Sequence, residues 1–128
     1  MTTSQLSEFK KLLNSSSEFK HHIPDKQTRK LLFYLFTNTR GGLTRLQIIL
    51  ILLQRSCNTH QLSRELQLDY KAVQHHMRVL EKNNVVTKIG GKYGAVFHLS
   101  NLMEINIYSL NDVIDILDRK MNHKKVYL

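Results

Sequence analysis

The chain has 128 residues, enough for one compact domain with an arm or two. Its 41% apolar and 23% charged residues suit a folded core rather than a disordered chain, and a single Cys excludes a disulfide framework or a multi-Cys zinc cluster. Nineteen Lys and Arg against ten Asp and Glu give a net charge of +9, which favours an anionic partner, nucleic acid before an acidic membrane surface.

Leu6, Phe9 and Leu13 stand at near-helical spacing and predict a short amphipathic helix over 3–13, broken by Asn14 to Ser17. Pro24-Asp25 opens a second helix, because Pro suits the first turn and Asp the positive helix end. It runs to about Thr37 through the dense apolar stretch Leu31 to Phe36 and stops at Asn38 to Gly42. Leu43 to Arg55 reads as a buried helix. Its run Ile48 to Leu53 is far short of the roughly 20 apolar residues that cross a bilayer. With no secretory pattern at the N-terminus, the expectation is a soluble cytoplasmic protein with no membrane partner.

Cys57 to Thr59 breaks the pattern and offers Asn58 or Thr59 as N-cap for a helix from His60 to about Gln67, with Leu62 and Leu66 inward. After the turn Leu68 to Tyr70, a helix from Tyr70 to Lys82 turns Val73, Met77 and Leu80 inward. Asn83-Asn84 ends it, since Asn tolerates the left-handed conformation of a C-cap. A hairpin follows: strands at Val85–Ile89 and Ala95–Leu99 around the loop Gly90 to Gly94, with Ala95, Phe97 and Leu99 alternating. Leu102–Tyr108 is a further helical candidate. A last helix, capped by Ser109 or Asn111, carries the stripe Leu110, Val113, Ile114, Leu117 and Met121.

The fold class expected is mainly α with a small β-hairpin: a winged helix-turn-helix over 39–100. It is flanked by a helical extension over 1–38 and a C-terminal dimerisation helix over 101–128. A short helix, a tight turn and a second, more basic helix form the unit that sets its second helix in the major groove. On that second helix Lys71, Gln74, His75 and Arg78 fall at i, i+3, i+4 and i+7, with Lys82 a turn further. All five donate hydrogen bonds. Gln and Arg match adenine and guanine edges with paired bonds, and Lys serves phosphates as a point charge. A solvated helix face mixes acids with its bases; this helix holds only Glu81.

The run Asn58 to Val86, with Gln61-Leu62-Ser63-Arg64-Glu65-Leu66, then a turn, then Val73, His76, Met77 and Leu80, resembles ArsR-type winged-helix regulators, above all their small archaeal members. Residues 39–50 resemble the opening of the first domain helix in that group, and the hairpin over 90–100 resembles the wing. The resemblance implies a dimeric double-stranded DNA-binding transcription regulator that reads sequence with the helix 70–82 and sets its wing, 85–99, on flanking DNA. By that analogy Lys71, Gln74, His75 and Arg78 touch bases and phosphates. Arg45, Lys88, Lys92 and Tyr93 are further expected DNA contacts, outside the analogy. His76, beside the buried face, braces the fold as much as it touches DNA. Metal-sensing members place cysteines where Asn58 and His60 stand here, so metal sensing does not carry over.

Residues 41–100 hold eight Lys and Arg against three acids, whereas 101–128 hold four against four. The neutral C-terminal segment therefore suits protein contact. Leu110, Val113, Ile114, Leu117 and Met121, with Leu32 and Phe36, are the expected homodimer seam, because two apolar helices outside the winged helix need cover. Asp112, Asp115 and Asp118 read as a solvated face. Two other readings stand beside the regulator: a nucleoid-associated, chromatin-organising protein with little sequence preference, and a winged helix serving as a protein-interaction module. The basic face argues against the second. No nucleophile-and-base pair, P-loop, metal set or cofactor motif stands out, so neither an enzyme nor a cofactor is expected.

Overall fold

The computed structural model describes residues 3–16, 22–37, 40–91 and 94–126. Its internal contacts sort into two compact units: Thr44–Glu104, and a second formed by Met1–Leu43 together with Ile105–Leu128. The two terminal segments, expected as separate extensions, thus share one unit.

The first unit begins with most of α3 (Gly42–Gln54), followed by α4 (Thr59–Leu66) and α5 (Tyr70–Lys82). Then come β1 (Val86–Ile89), β2 (Val96–Leu99) and α6 (Asn101–Ile105). Ile48, Ile49 and Leu50 on α3 are all buried although consecutive side chains point about 100° apart, so the helix is enclosed on several sides. Asn58 caps α4 in a reciprocal box: its side chain accepts from the Gln61 amide at 2.7 Å, and the Asn58 amide donates to Gln61 Oε1 at 2.8 Å. Leu62 of α4 and Val73, Met77 and Leu80 of α5 are buried where the two helices pack.

Asn84 takes a φ of 58° at the end of α5, and the Val85 amide donates back to the Leu80 carbonyl at 2.9 Å. The strands pair antiparallel, Val86 opposite Leu99 and Ile89 opposite Val96. Phe97 and Leu99 are buried, while Ala95, expected beside them, is half-buried. Cys57 is fully buried. It exchanges both backbone bonds with Phe97, at 2.8 and 3.4 Å, and so adds an isolated bridge between the α3–α4 connection and the hairpin. Ser100 ties the hairpin to α6: its hydroxyl donates to the Asn84 carbonyl at 2.7 Å and accepts from the Met103 amide at 3.0 Å.

The second unit holds α1 (Thr3–Ser16), α2 (Lys26–Phe36), one 3-10 turn (Ile107–Ser109) and α7 (Leu110–Val126). Asp25 caps α2 by accepting from the Thr28 amide at 2.7 Å. Asn111, one of two expected caps of α7, lies inside its first turn and donates instead to the Tyr108 carbonyl. Both α1 and α2 pack on α7. Leu6, Leu13, Leu32, Leu35 and Phe36 are buried, as are Leu110, Val113, Ile114 and Leu117. Polar bonds fasten the edges: Lys10 Nζ to Asp115 Oδ1 at 2.6 Å, and Lys120 Nζ to the Thr37 carbonyl at 3.1 Å. Of the three aspartates expected on a solvated face, Asp112 is exposed; Asp115 and Asp118 are half-buried.

This packing corrects the expected seam. Leu32, Phe36, Leu110, Val113, Ile114 and Leu117 are buried within one chain, so they present no apolar face to a second copy. The N-terminal helix α1, whose apolar positions are few, supplies cover that the sequence pattern left open. The side chain of Met121 lies outside the described residues. Among those residues no helix is long and apolar enough to cross a membrane.

Two substitutions test this arrangement by denaturant midpoint. Ile114→Ala removes a fully buried side chain and lowers stability by about 2–5 kcal/mol. At Gly42 a Cβ would overlap the Phe36 carbonyl, a backbone group that cannot swing aside, so Gly42→Ala costs about 1–3 kcal/mol. An unchanged midpoint in either variant contradicts the packing described.

Candidate nucleic-acid interface

A tight turn delivers α5. Gln67 adopts the left-handed conformation, φ 55°, and its amide donates to the Arg64 carbonyl at 3.3 Å. The Leu68 amide donates to the Ser63 carbonyl at 3.1 Å, and the Ser63 hydroxyl returns a bond to the Leu68 carbonyl at 2.9 Å. Three bonds across so few residues fix the direction in which α5 leaves.

With Val73, Met77 and Leu80 turned inward, the helical repeat puts Lys71, His75, Arg78 and Lys82 on the exposed side and leaves Gln74 half-buried. These five expected residues share one face. Lys88 on β1 is exposed, its ammonium 5.9 Å from the centroid of the Phe97 ring, which pins an otherwise loose side chain. Lys92 and Tyr93 lie outside the described residues.

Arg45 is corrected. It was expected at a phosphate, but it is 5% exposed, and its Nη1 lies 3.3 Å from Nδ1 of His76. Its place on the enclosed helix α3 turns it inward. A guanidinium only donates, so Nδ1 of His76 accepts and the neutral ring carries its proton on Nε2. The bracing role expected of His76 thus has a partner. Burial pushes the His76 imidazole below its ordinary value of 6.5, and the positive charges of Arg45 and then His75 push the same way. Each disfavours a second positive charge at this place.

Other residues at this surface were not expected. Tyr70, the first residue of α5, is 46% exposed, and Leu68 is exposed beside it. The only sequence signal was an aromatic at a helix start, which reads equally well as core. The Ser56 hydroxyl lies 2.7 Å from His98 Nδ1 on β2, a pair separated by 42 positions. Arg55 and Glu65 form an ion pair at the edge of α4. Among the described residues no group of three or more His, Cys, Asp or Glu side chains is placed to hold a metal ion.

Helix, helix, tight turn, helix and hairpin, with the last helix's basic face outward, make up a winged helix-turn-helix. Residues 43–88, from α3 into β1, match the family described as bacterial regulatory protein, arsR family. The match is confined to that segment, which carries an ArsR-type helix-turn-helix pattern. Two solved structures share the fold. Reduced HlyU from Vibrio cholerae is 20% identical over 66% of this chain and 85% of that one, with a TM-score of 0.52. A second structure of HlyU from the same organism is 20% identical over 76% of this chain and 96% of that one, with a TM-score of 0.50. No curated protein matches the chain in sequence.

The burial of His76, with Arg45 beside it, sets a pH dependence. The folded imidazole binds its proton more weakly than the unfolded one, so its contribution is fully present above pH 6.5 and falls away as pH drops toward the lower folded value. Asp25, held below 3.8 by the Thr28 amide, acts only at more acidic pH. Thermal melts from pH 7.5 to 5 should show a decline in wild type that His76→Gln flattens, because Gln still accepts from Arg45 and does not titrate. Parallel declines in the two proteins refute the assignment.

Proposed function

We propose that the chain regulates transcription by setting α5 in the major groove of double-stranded DNA, with Gln74 and Arg78 reading base edges. In this reading Lys71, His75 and Lys82 bind at the groove rim and the wing residue Lys88 grips flanking backbone. The observation that carries the reading is the face itself: four exposed bases and one half-buried Gln on one side of α5, opposite three buried apolar residues. Arg45 is left out of the contact set because its burial keeps it from a phosphate.

We further propose that the protein acts as a homodimer, because a pseudo-palindromic site asks for two recognition helices about one helical turn apart. The contact falls outside the six residues buried in α2 and α7. Among the described residues of that unit, Ile23, 84% exposed, Tyr34, 57% exposed, and Leu43, 36% exposed, are the large apolar groups left in water. Sedimentation of the wild-type protein at tens of micromolar tests it: a monomer, free or DNA-bound, defeats this part.

Binding to duplex DNA should weaken steeply with salt, log K falling by about 0.9 per phosphate contact for each log unit of salt. On a site selected from random sequence, Gln74→Ala and Arg78→Ala should each cost about 1–3 kcal/mol and lose less on unselected DNA. Lys88→Ala should weaken both alike. Equal losses for all three on both DNAs would favour a chromatin-organising protein of low sequence preference, and a flat salt response would remove DNA binding altogether.

A further inference from the structure

A cleft of about 230 Å3 lies where the first residues of α4 and α5 meet the hairpin. Thr59 and His60 line it from α4, Tyr70 from α5, Lys88 from β1, and Gly94 and Phe97 from the loop and β2. No Asp or Glu is among the lining residues. Thr59, His60, Tyr70 and Lys88 thus line one concavity, and each carries a side-chain hydrogen-bond donor. The Lys88 ammonium is held above the Phe97 ring at its floor. Tyr70 keeps 46% of its surface in water.

We propose that this cleft is a phosphate clamp, which takes a single backbone phosphodiester of the DNA that α5 reads. The proposal rests on the DNA-binding reading and adds to it a fixed contact made by α4, α5 and the wing together. Several neutral donors around one cation match a singly charged diester: the ammonium supplies the charge, and the hydroxyls and imidazole occupy the remaining oxygen lone pairs. A surface lysine on a flexible stem gives attraction without place. Donors from three elements give place, so the clamp sets how far α5 slides along its groove.

The test compares wild type with Tyr70→Phe, His60→Ala and Lys88→Gln, singly and in pairs, on a selected duplex and on random duplex. Tyr70→Phe keeps the ring and removes only the hydroxyl, so it leaves the exposed surface intact. It should weaken both DNAs by about tenfold, the scale of one hydrogen bond to a charged group. Lys88→Gln should also lower the salt slope by about 0.9, whereas Tyr70→Phe and His60→Ala leave the slope unchanged. Paired changes should cost less than the sum of the single ones, because one phosphate is shared. If Arg78→Ala weakens binding while Tyr70→Phe and His60→Ala do not, the clamp falls and the α5 reading stands. If the protein binds no duplex, both fall. A titration with inorganic phosphate supplies the last arm: saturation there, with DNA affinity untouched by the three changes, makes the cleft a free-anion site and overturns the proposal.

Discussion

The structure of the helix-turn-helix depends on one constraint, that α5 must bury Val73, Met77 and Leu80 on a single side. A helix of 3.6 residues per turn has only one other side to offer, so burying the stripe sends Lys71, His75, Arg78 and Lys82 outward together. The hydrophobic effect, which is indifferent to nucleic acid, thereby assembles a cationic face. The turn before α5 and the capping box of α4 serve the same end, since they fix the angle at which that side meets Leu62. Hydrogen bonds at Gln67, Leu68 and Ser63 leave few ways to rotate the helix without losing one of them.

Beneath that face, one cation is kept inside. A buried guanidinium is costly unless it is given acceptors, and the imidazole of His76 is one such acceptor on α5 itself. The bond has consequences in both directions. It fixes the tautomer of His76, and it ties α3 to the helix that carries the exposed basic residues. Burial first, and the nearby positive charge after it, favour the neutral imidazole, so a ring that elsewhere titrates near neutrality acts here as a lone-pair donor. Of the two adjacent histidines on α5, His75 is exposed and His76 is a strut, a division set by the angle of about 100° between successive positions.

The other unit solves a different problem. Its segments come from opposite ends of the chain, and the charge-neutral C-terminal segment 101–128 lets apolar packing proceed without burying like charges. Leu6 and Leu13 on α1 and Leu32, Leu35 and Phe36 on α2 are buried with the α7 stripe, and Lys10–Asp115 closes the edge. Of the net charge of +9, the segment 41–100, where α5 and the hairpin lie, carries +5 and residues 1–40 carry +4.

By itself the sequence determined the elements and the direction of their faces. Asn58 with Gln61, the stripe Val73–Met77–Leu80, Asn84 at a left-handed position and the Gly-bounded loop are local signals. Each depends on residues a few positions apart, where propensity and periodicity act. The resemblance to ArsR-type regulators followed from that same local pattern. Tertiary structure alone decided what lies between distant positions. It covered Leu110, Val113, Ile114 and Leu117 within the chain, turned Arg45 inward to His76 and joined Cys57 to Phe97. It also gathered His60, Tyr70 and Lys88 around one cleft. Those pairs are separated by tens of residues, and periodicity states only that a side chain faces inward. Which neighbour it meets there is set by how whole helices pack, and that information is spread over every residue of the fold.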